Sequence, residues 1–104
     1  MSAHVIRLRG HWKRDELPDG RVRHSRNFGR PRTLDANESA WLVCSRSPGD
    51  GSVSVNDQFL GTIRSGEPFA FDVTALLAPR NVAGIELATA VEWPGEVDLV
   101  IRPK

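Results

Sequence analysis

Residues 51–63 read Gly-Ser-Val-Ser-Val-Asn-Asp-Gln-Phe-Leu-Gly-Thr-Ile, and this stretch decides the fold class. Its two valines alternate with serines, which is the period of a half-buried strand. Asn56 and Asp57 follow, and both residue types tolerate the left-handed backbone of a two-residue hairpin turn. An apolar run then returns as the partner strand. The pattern therefore predicts a β-hairpin centred on Asn56 and Asp57.

Short runs of the same kind recur along the chain, separated by Gly, Pro, Asn and Asp. Residues 21–28 are expected to form an exposed edge strand, because their arginines lie on one face at a spacing of two. Residues 40–44 are apolar on both faces, so we expect them, Trp41 included, in the core. The predicted strands cover residues 5–9, 21–28, 40–44, 52–55, 59–63, 69–73, 82–91 and 97–102.

Helical periodicity is absent from most of the chain. The alanines of 82–91 would suit a helix, but Gly84 weakens one and the alternating apolar residues favour a strand. Residues 74–77 are expected to form one short helical turn, which Pro79 ends. The predicted fold is therefore all-β: an antiparallel β-sandwich or jelly roll of about seven or eight strands with at most one short helical turn.

Composition bounds the class of protein. A chain of 104 residues fits one β-sandwich domain spanning residues 1–104. With 39% hydrophobic residues and a net charge of +1, disorder throughout is not expected. No apolar run reaches the roughly 20 residues of a membrane helix, and the first residues lack the apolar core of a signal peptide. We therefore expect a cytoplasmic protein that makes no membrane contact.

Several pieces of the chain carry a family resemblance. They are Arg26-Asn-Phe-Gly-Arg-Pro31, Trp41-Leu-Val43, Val53-Ser-Val-Asn-Asp-Gln-Phe-Leu-Gly61, Pro68-Phe-Ala-Phe-Asp-Val-Thr-Ala-Leu-Leu77, Arg80-Asn81 and Gly95-Glu-Val-Asp-Leu-Val-Ile101. Together, residues 26–101 resemble the N-terminal sugar-binding domain of glycoside hydrolase family two, a galactose-binding-like jelly roll. Asp57 and Arg80 stand where the family pattern has glycine.

The resemblance implies a non-catalytic accessory domain. In those enzymes the chemistry resides in a separate barrel, for which this chain has no room. We therefore expect a binding module of uncharacterised specific role rather than an enzyme, with carbohydrate or another protein as its partner. The sequence leaves the ligand and the oligomeric state open.

No catalytic, metal or cofactor motif is recognisable. The histidines, His4, His11 and His24, are widely spaced and lack neighbouring ligands, whereas zinc needs three or four that converge. Cys44 follows an apolar run and is expected to be a buried, inert thiol, and a single cysteine excludes an internal disulfide. No motif selects a pair of carboxylates for glycoside hydrolysis. Neither a metal nor a cofactor is therefore predicted.

Two tryptophans in polar or loop contexts are candidate sugar platforms, because an exposed indole can stack on the apolar face of a sugar. Trp93 is flanked by Glu92, and Glu96 is close enough in sequence to accept hydrogen bonds from hydroxyl groups. Trp12 lies among basic residues. The alternative for both rings is packing at the edge of the sandwich. The candidate ligand-binding residues are Trp93, Glu92, Glu96 and Trp12.

Charge is unevenly distributed. Residues 1–32 contain nine basic and three acidic residues, a net charge of +6, and the remaining residues carry five basic and ten acidic ones, a net charge of −5. A basic stripe is the electrostatic footprint of a polyanion or nucleic-acid binder. Pairing of the basic strands with acidic C-terminal strands explains the same pattern without a ligand and is preferred. The candidate polyanion residues are Arg21, Arg23, Arg26, Arg30 and Arg32.

Overall fold

The computed structural model describes residues 4–30, 34–91 and 96–104, and in them nine strands form two antiparallel sheets. The all-β sandwich expected from the sequence is confirmed, with one 3₁₀ turn at Thr74–Leu76 where the short helical turn was predicted. The strands are β1 (His4–Arg7), β2 (Lys13–Glu16), β3 (Val22–Gly29), β4 (Glu38–Cys44), β5 (Gly51–Val55), β6 (Gln58–Ile63), β7 (Phe69–Asp72), β8 (Arg80–Leu87) and β9 (Val97–Pro103).

The chain crosses between the sheets several times, so most of the described strands pair with strands that are distant in sequence; β2–β3 and β5–β6 are the consecutive pairs. The four-stranded sheet has the order β1-β9-β4-β7, and the five-stranded sheet has the order β2-β3-β8-β5-β6. β3 and β8 pair over their full length, from Val22 opposite Leu87 to Gly29 opposite Arg80. This long pairing fixes which side chains of the two strands share a face.

The core lies between the sheets and contains every second residue of the central strands. Ala40, Leu42 and Cys44 of β4 point into it, and so do the alternate residues of β9. Removal of this apolar surface from water is the main source of stability, at about 25 cal/mol per Å². The buried apolar side chains include Leu8, Val22, Phe28, Leu42, Val53, Val55, Val73, Ile85, Leu87, Val97, Leu99 and Ile101.

The hairpin predicted from residues 51–63 is confirmed. Asn56 has φ 52° and Asp57 has φ 64°, the left-handed pair that a tight two-residue turn requires. The pairing of β5 with β6 shifts by one residue at a β-bulge between Val53 and Ser54. Gly61 faces this irregular segment, and a Cβ atom built on it would lie 2.6 Å from the ring of Phe71. The glycine therefore permits close contact with the ring.

Two asparagines tie this hairpin to β8. The Asn56 side-chain amide donates to the Leu76 carbonyl and to Asn81 Oδ1, both at 2.9 Å, and its Oδ1 accepts from Val82 N–H at 2.8 Å. Asn81 is 2% exposed, and its amide also bonds both backbone groups of Ala78. A buried amide is stable only when its hydrogen bonds are made, so this network holds the 3₁₀ turn against the hairpin.

Two expectations about the N-terminal half were wrong. Residues 21–28 are not a solvated edge strand: β3 lies inside its sheet, and Val22, His24 and Phe28 are buried. The edge strand on this side of the sheet is β2, whose four residues are all exposed and charged. Its sequence has no apolar alternation, and pairing with β3 alone makes it a strand.

The expected core position of Trp41 was also wrong. Ala40 and Leu42 take the inward positions of β4, so Trp41 lies on the outer face of the sheet and is only half-buried. Its indole N–H donates to Ser39 Oγ at 2.9 Å, and the guanidinium of Arg102 lies 4.4 Å from the centre of its ring. The strand is apolar on both faces, but only one face belongs to the core.

Candidate functional site

Two hollows on the outer face of the five-stranded sheet meet at Asn27. The smaller one, of about 260 Å³, is lined by His11, Lys13, Ser25 and Asn27. The larger one, of about 620 Å³, is lined by Asn27, Phe28, Gly29, Pro79, Arg80, Asn81 and Val82. We call these two hollows together the Asn27 surface.

Strand register explains why these residues come together. Lys13 lies opposite Ser25, and Asn27 lies opposite Val82, so the outward side chains of β2, β3 and β8 share one face. Asn27 is exposed at the centre, and Val82 is 38% exposed beside it. The face therefore combines amide and hydroxyl groups with an apolar patch.

Arg26 holds the edge of the smaller hollow. Its Nε donates to the Gly10 carbonyl at 3.0 Å, and its terminal nitrogen donates to the Asn27 carbonyl at 3.2 Å. The segment that it holds has left-handed backbone at Gly10, with φ 78°, and at His11, with φ 57°. Left-handed backbone is uncommon for residues other than glycine, and His11 adopts it where the chain turns at the rim of the hollow.

The charge of the Asn27 surface is positive. Lys13 and Arg80 line it, and none of the described residues in either lining is acidic. Arg30 is exposed at the end of β3, where its backbone N–H donates to the Pro79 carbonyl at 3.2 Å and joins the two sides of the larger hollow. The surface can thus offer cationic and amide donors to a ligand.

Most of the candidate polyanion arginines interact with the protein itself. Arg21 lies 2.6 Å from Asp19 and 3.1 Å from Glu86, and Arg23 lies 3.9 Å from Glu86. The backbone N–H of Arg21, followed by its side chain, holds the pKa of Asp19 below its usual range. Arg32 lies outside the described residues. The expected pairing of N-terminal basic with C-terminal acidic residues is therefore present at Glu86.

The structure describes two of the four predicted ligand-binding residues. Trp12 is half-buried, packs against the core and donates its indole N–H to the Leu8 carbonyl at 2.7 Å. Glu96 is exposed directly before β9. Trp93 and Glu92 lie outside the described residues. A ligand role for these four residues stays a prediction.

Sequence reasoning missed the residues that form the Asn27 surface. Ser25, Asn27, Arg80 and Val82 are ordinary surface residues in one dimension, and only the pairing of β3 with β8 unites them. A signal was available in the alternation of β3, where Val22, His24 and Phe28 mark the inward face and so assign Ser25 and Asn27 to the outward one.

Other groups show no sign of catalysis. Burial raises the pKa of the Cys44 thiol, which donates to the Arg46 carbonyl at 3.2 Å, so the expected inert thiol fits its surroundings. In the described part of the chain, no three His, Cys, Asp or Glu side chains are grouped as metal ligands would be. None of the described helical segments has the length and apolar character needed to cross a membrane.

Comparison with known proteins identifies the fold. No protein-family model and no curated protein sequence matches this chain. Among solved structures, the FMN-binding β-glucuronidase of Faecalibacterium prausnitzii L2-6 matches 97% of the chain with a TM-score of 0.76 and 20% identity. The β-glucuronidase of Bifidobacterium dentium matches 83% of the chain with a TM-score of 0.70 and 25% identity. That of Dictyoglomus thermophilum matches 98% of the chain with a TM-score of 0.78 and 14% identity.

The chain corresponds to a part of each of these proteins. It spans 23% of the Faecalibacterium protein, 20% of the Bifidobacterium protein and 28% of the Dictyoglomus protein. The resemblance to the β-sandwich domain of family-two glycoside hydrolases, read above from the sequence pattern, is confirmed as a likeness of fold.

Proposed function

We propose that this chain is a non-catalytic β-sandwich module that binds carbohydrate on the Asn27 surface. The observation that carries the proposal is the match of nearly the whole chain to a minor part of β-glucuronidases. The Bifidobacterium enzyme in this set is complexed with coumarin-3-O-glucuronide. A module that shares the fold of one part of such enzymes fits a supporting role in sugar recognition better than a catalytic one.

The chemistry of the Asn27 surface supports a sugar ligand. A sugar presents hydroxyl groups that need paired donors and acceptors, and C–H faces that need an apolar contact. Asn27 and Ser25 offer the first, and the partly exposed Val82 offers the second. Lys13 and Arg80 add positive charge, which favours a sugar with an acidic group.

Binding to a titrated sugar tests the proposal. We expect glucuronic acid to shift the backbone amide signals of Ser25, Asn27 and Val82 in ¹H–¹⁵N spectra, with a dissociation constant on the order of 1 mM. The Asn27→Ala variant should bind about tenfold more weakly, because two hydrogen bonds to the ligand are lost. Arg80→Ala should also weaken binding, because it removes a cation from the surface, and its matched control Arg7→Ala, which removes a cation from the other sheet, should leave the titration unchanged.

The same titration distinguishes sugar binding from the second candidate function, polyanion binding. Galactose, glucuronic acid and a heparin oligosaccharide are compared at low and high salt. Shifts with heparin alone that disappear at high salt would replace the sugar module with a polyanion binder, because counterion release makes such binding salt-dependent. If all three ligands leave the Asn27 surface unshifted, both functions are overturned for this surface.

A further inference from the structure

The outer face of the four-stranded sheet carries an apolar patch among its charged residues. Register places Val5, Val100 and Trp41 in one row and Val43 and Ala70 in the next, which Asp98 on β9 and Arg7 on β1 complete. Val5 is 48% exposed and Ala70 is exposed, while Trp41, Val43 and Val100 are half-buried. Strands that are apolar on both faces are typical of sheets covered on both faces. A partner over this face would therefore remove apolar surface from water.

Charges are ordered along this face. On the outward side of β9, Asp98 precedes Val100 and Arg102 follows it. Glu96, before the strand, and Lys104, after it, extend the same order beyond its ends. The outward side of the strand is thus acidic at its start and basic at its end, with an apolar residue between the two halves.

Such an order is complementary to itself. Consider a two-fold axis that lies in the plane of the face, runs perpendicular to β9 and crosses it at Val100. A second copy related by this axis packs its β9 against the first β9 in the opposite direction. Asp98 of each copy then faces Arg102 of the other, and Val100 and Trp41 meet their own counterparts near the axis. Closed two-fold dimers have this property, because each contact occurs twice. We propose that the outer face of the four-stranded sheet is a homodimer interface.

The local bonding of the charged groups fits this arrangement. Asp98 Oδ1 accepts no hydrogen bond among the described residues and forms one long ion pair, with Arg9 Nε at 3.6 Å. The Arg102 guanidinium is held on the face by the ring of Trp41, 4.4 Å away. Asp72, the acid in the same row as Trp41, lies exposed on the edge strand β7, so solvent screens its charge from that of its counterpart.

The size of the face predicts the strength of the dimer. Four strands at about 4.8 Å spacing span roughly 20 Å, and the seven residues of β4 and β9 at about 3.3 Å span about as much, while β1 and β7 have four residues each. Two such faces bury on the order of 1,000 Å² in total, the lower limit for a specific interface. We therefore expect a reversible dimer with a dissociation constant on the order of 10 μM.

Sedimentation velocity over a concentration series tests the proposal with charge-reversal variants. The unmodified chain should pass from monomer to dimer as concentration rises. Arg102→Asp and Asp98→Arg should each weaken association about tenfold, because each places like charges opposite one another twice. The double variant should regain the dimer, because the reversed charges are again complementary. Asp15→Arg, on the outer face of the other sheet, should leave association unchanged.

Four results would overturn the interface. The first is that the unmodified chain stays monomeric throughout the series, and the second is that the single variants dimerise as it does. The third is that the double variant folds but stays monomeric. The fourth is that Asp15→Arg is the variant that loses the dimer, while the others keep it. Circular dichroism checks folding of each variant. If reversal at the part-buried Asp98 unfolds the chain, Val5→Glu replaces it: this exposed position on the same face should weaken the dimer about tenfold without loss of the fold, and an unchanged dimer would overturn the proposal.

Discussion

His24 is a buried histidine on the inward side of β3. It is 3% exposed, and its cross-strand neighbour on β2 is Arg14. Burial lowers the pKa of His24 below its usual value, and the charge of Arg14 lowers it further, because both disfavour the imidazolium. The folded chain therefore holds this residue neutral at pH values where the unfolded chain protonates it.

Stability should consequently fall in mild acid. His24 in the unfolded chain has a pKa of about 6.5, so below that pH the unfolded state binds more protons than the folded state. As the pH falls from about 6.5 to the lowered pKa of the folded state, the free energy of unfolding therefore decreases. Above about pH 7 this group contributes no pH dependence. Urea unfolding between about pH 7 and pH 5 measures the slope, which should be smaller in His24→Gln. The exposed His4→Gln is the control, and equal slopes in His24→Gln and the unmodified chain would contradict the assignment.

The two faces of β4 differ in what they contribute. Leu42 points into the core with no exposed surface, whereas its neighbour Trp41 lies on the outer face under Arg102. The size of a side chain is therefore a poor guide to its importance here, because stability depends on the surface removed from water by folding.

Replacement of Leu42 by alanine should cost more stability than replacement of Trp41, although the tryptophan side chain is larger. We expect Leu42→Ala to lower the free energy of unfolding by about 3 kcal/mol, because it leaves a cavity in the core. Trp41→Ala should cost about 1 kcal/mol, from a half-exposed ring and one cation–π contact. Chemical unfolding at low protein concentration, where the chain is monomeric, measures both. A larger loss for Trp41→Ala would place the ring in the core after all.

The two sheets meet at one edge through Gly61 and Phe71. Gly61 lies on β6 of the five-stranded sheet, and Phe71 lies on β7 of the four-stranded sheet. The ring of Phe71 occupies the space that a Cβ atom on Gly61 would enter, at 2.6 Å. Closure of the sandwich at this edge thus depends on the absence of a single methyl group.

Gly61→Ala should therefore destabilise the whole molecule. The added methyl group forces the ring aside, at a cost of about 1–3 kcal/mol in the free energy of unfolding. A Phe71→Leu change in the same chain should recover part of the loss by making room. Gly29→Ala is the matched control, since its nearest neighbour would be the Pro79 carbonyl at 3.8 Å and the change should stay within about 0.5 kcal/mol. Thermal or urea unfolding that finds Gly61→Ala as stable as this control would refute the close contact.

Elements with their own alternation were predictable, and elements without it were not. The hairpin at Asn56 and Asp57 and the final strand follow from local pattern and turn chemistry. β2 was missed because its charged residues, 13–16, have no apolar face and become a strand only beside β3. The Asn27 surface was missed for the same reason, because it depends on the pairing of β3 with β8.

The sequence by itself determined the all-β class and the central hairpin, because alternation and turn residues act over a few neighbouring positions, and its short motifs carried the resemblance to a domain of family-two glycoside hydrolases. Only the tertiary structure decided that β3 lies inside its sheet, that Trp41 faces outward and that Asn27 joins two hollows. These features depend on which distant strands pair and in what register, and a shift of one residue would turn every side chain of a strand to the opposite face.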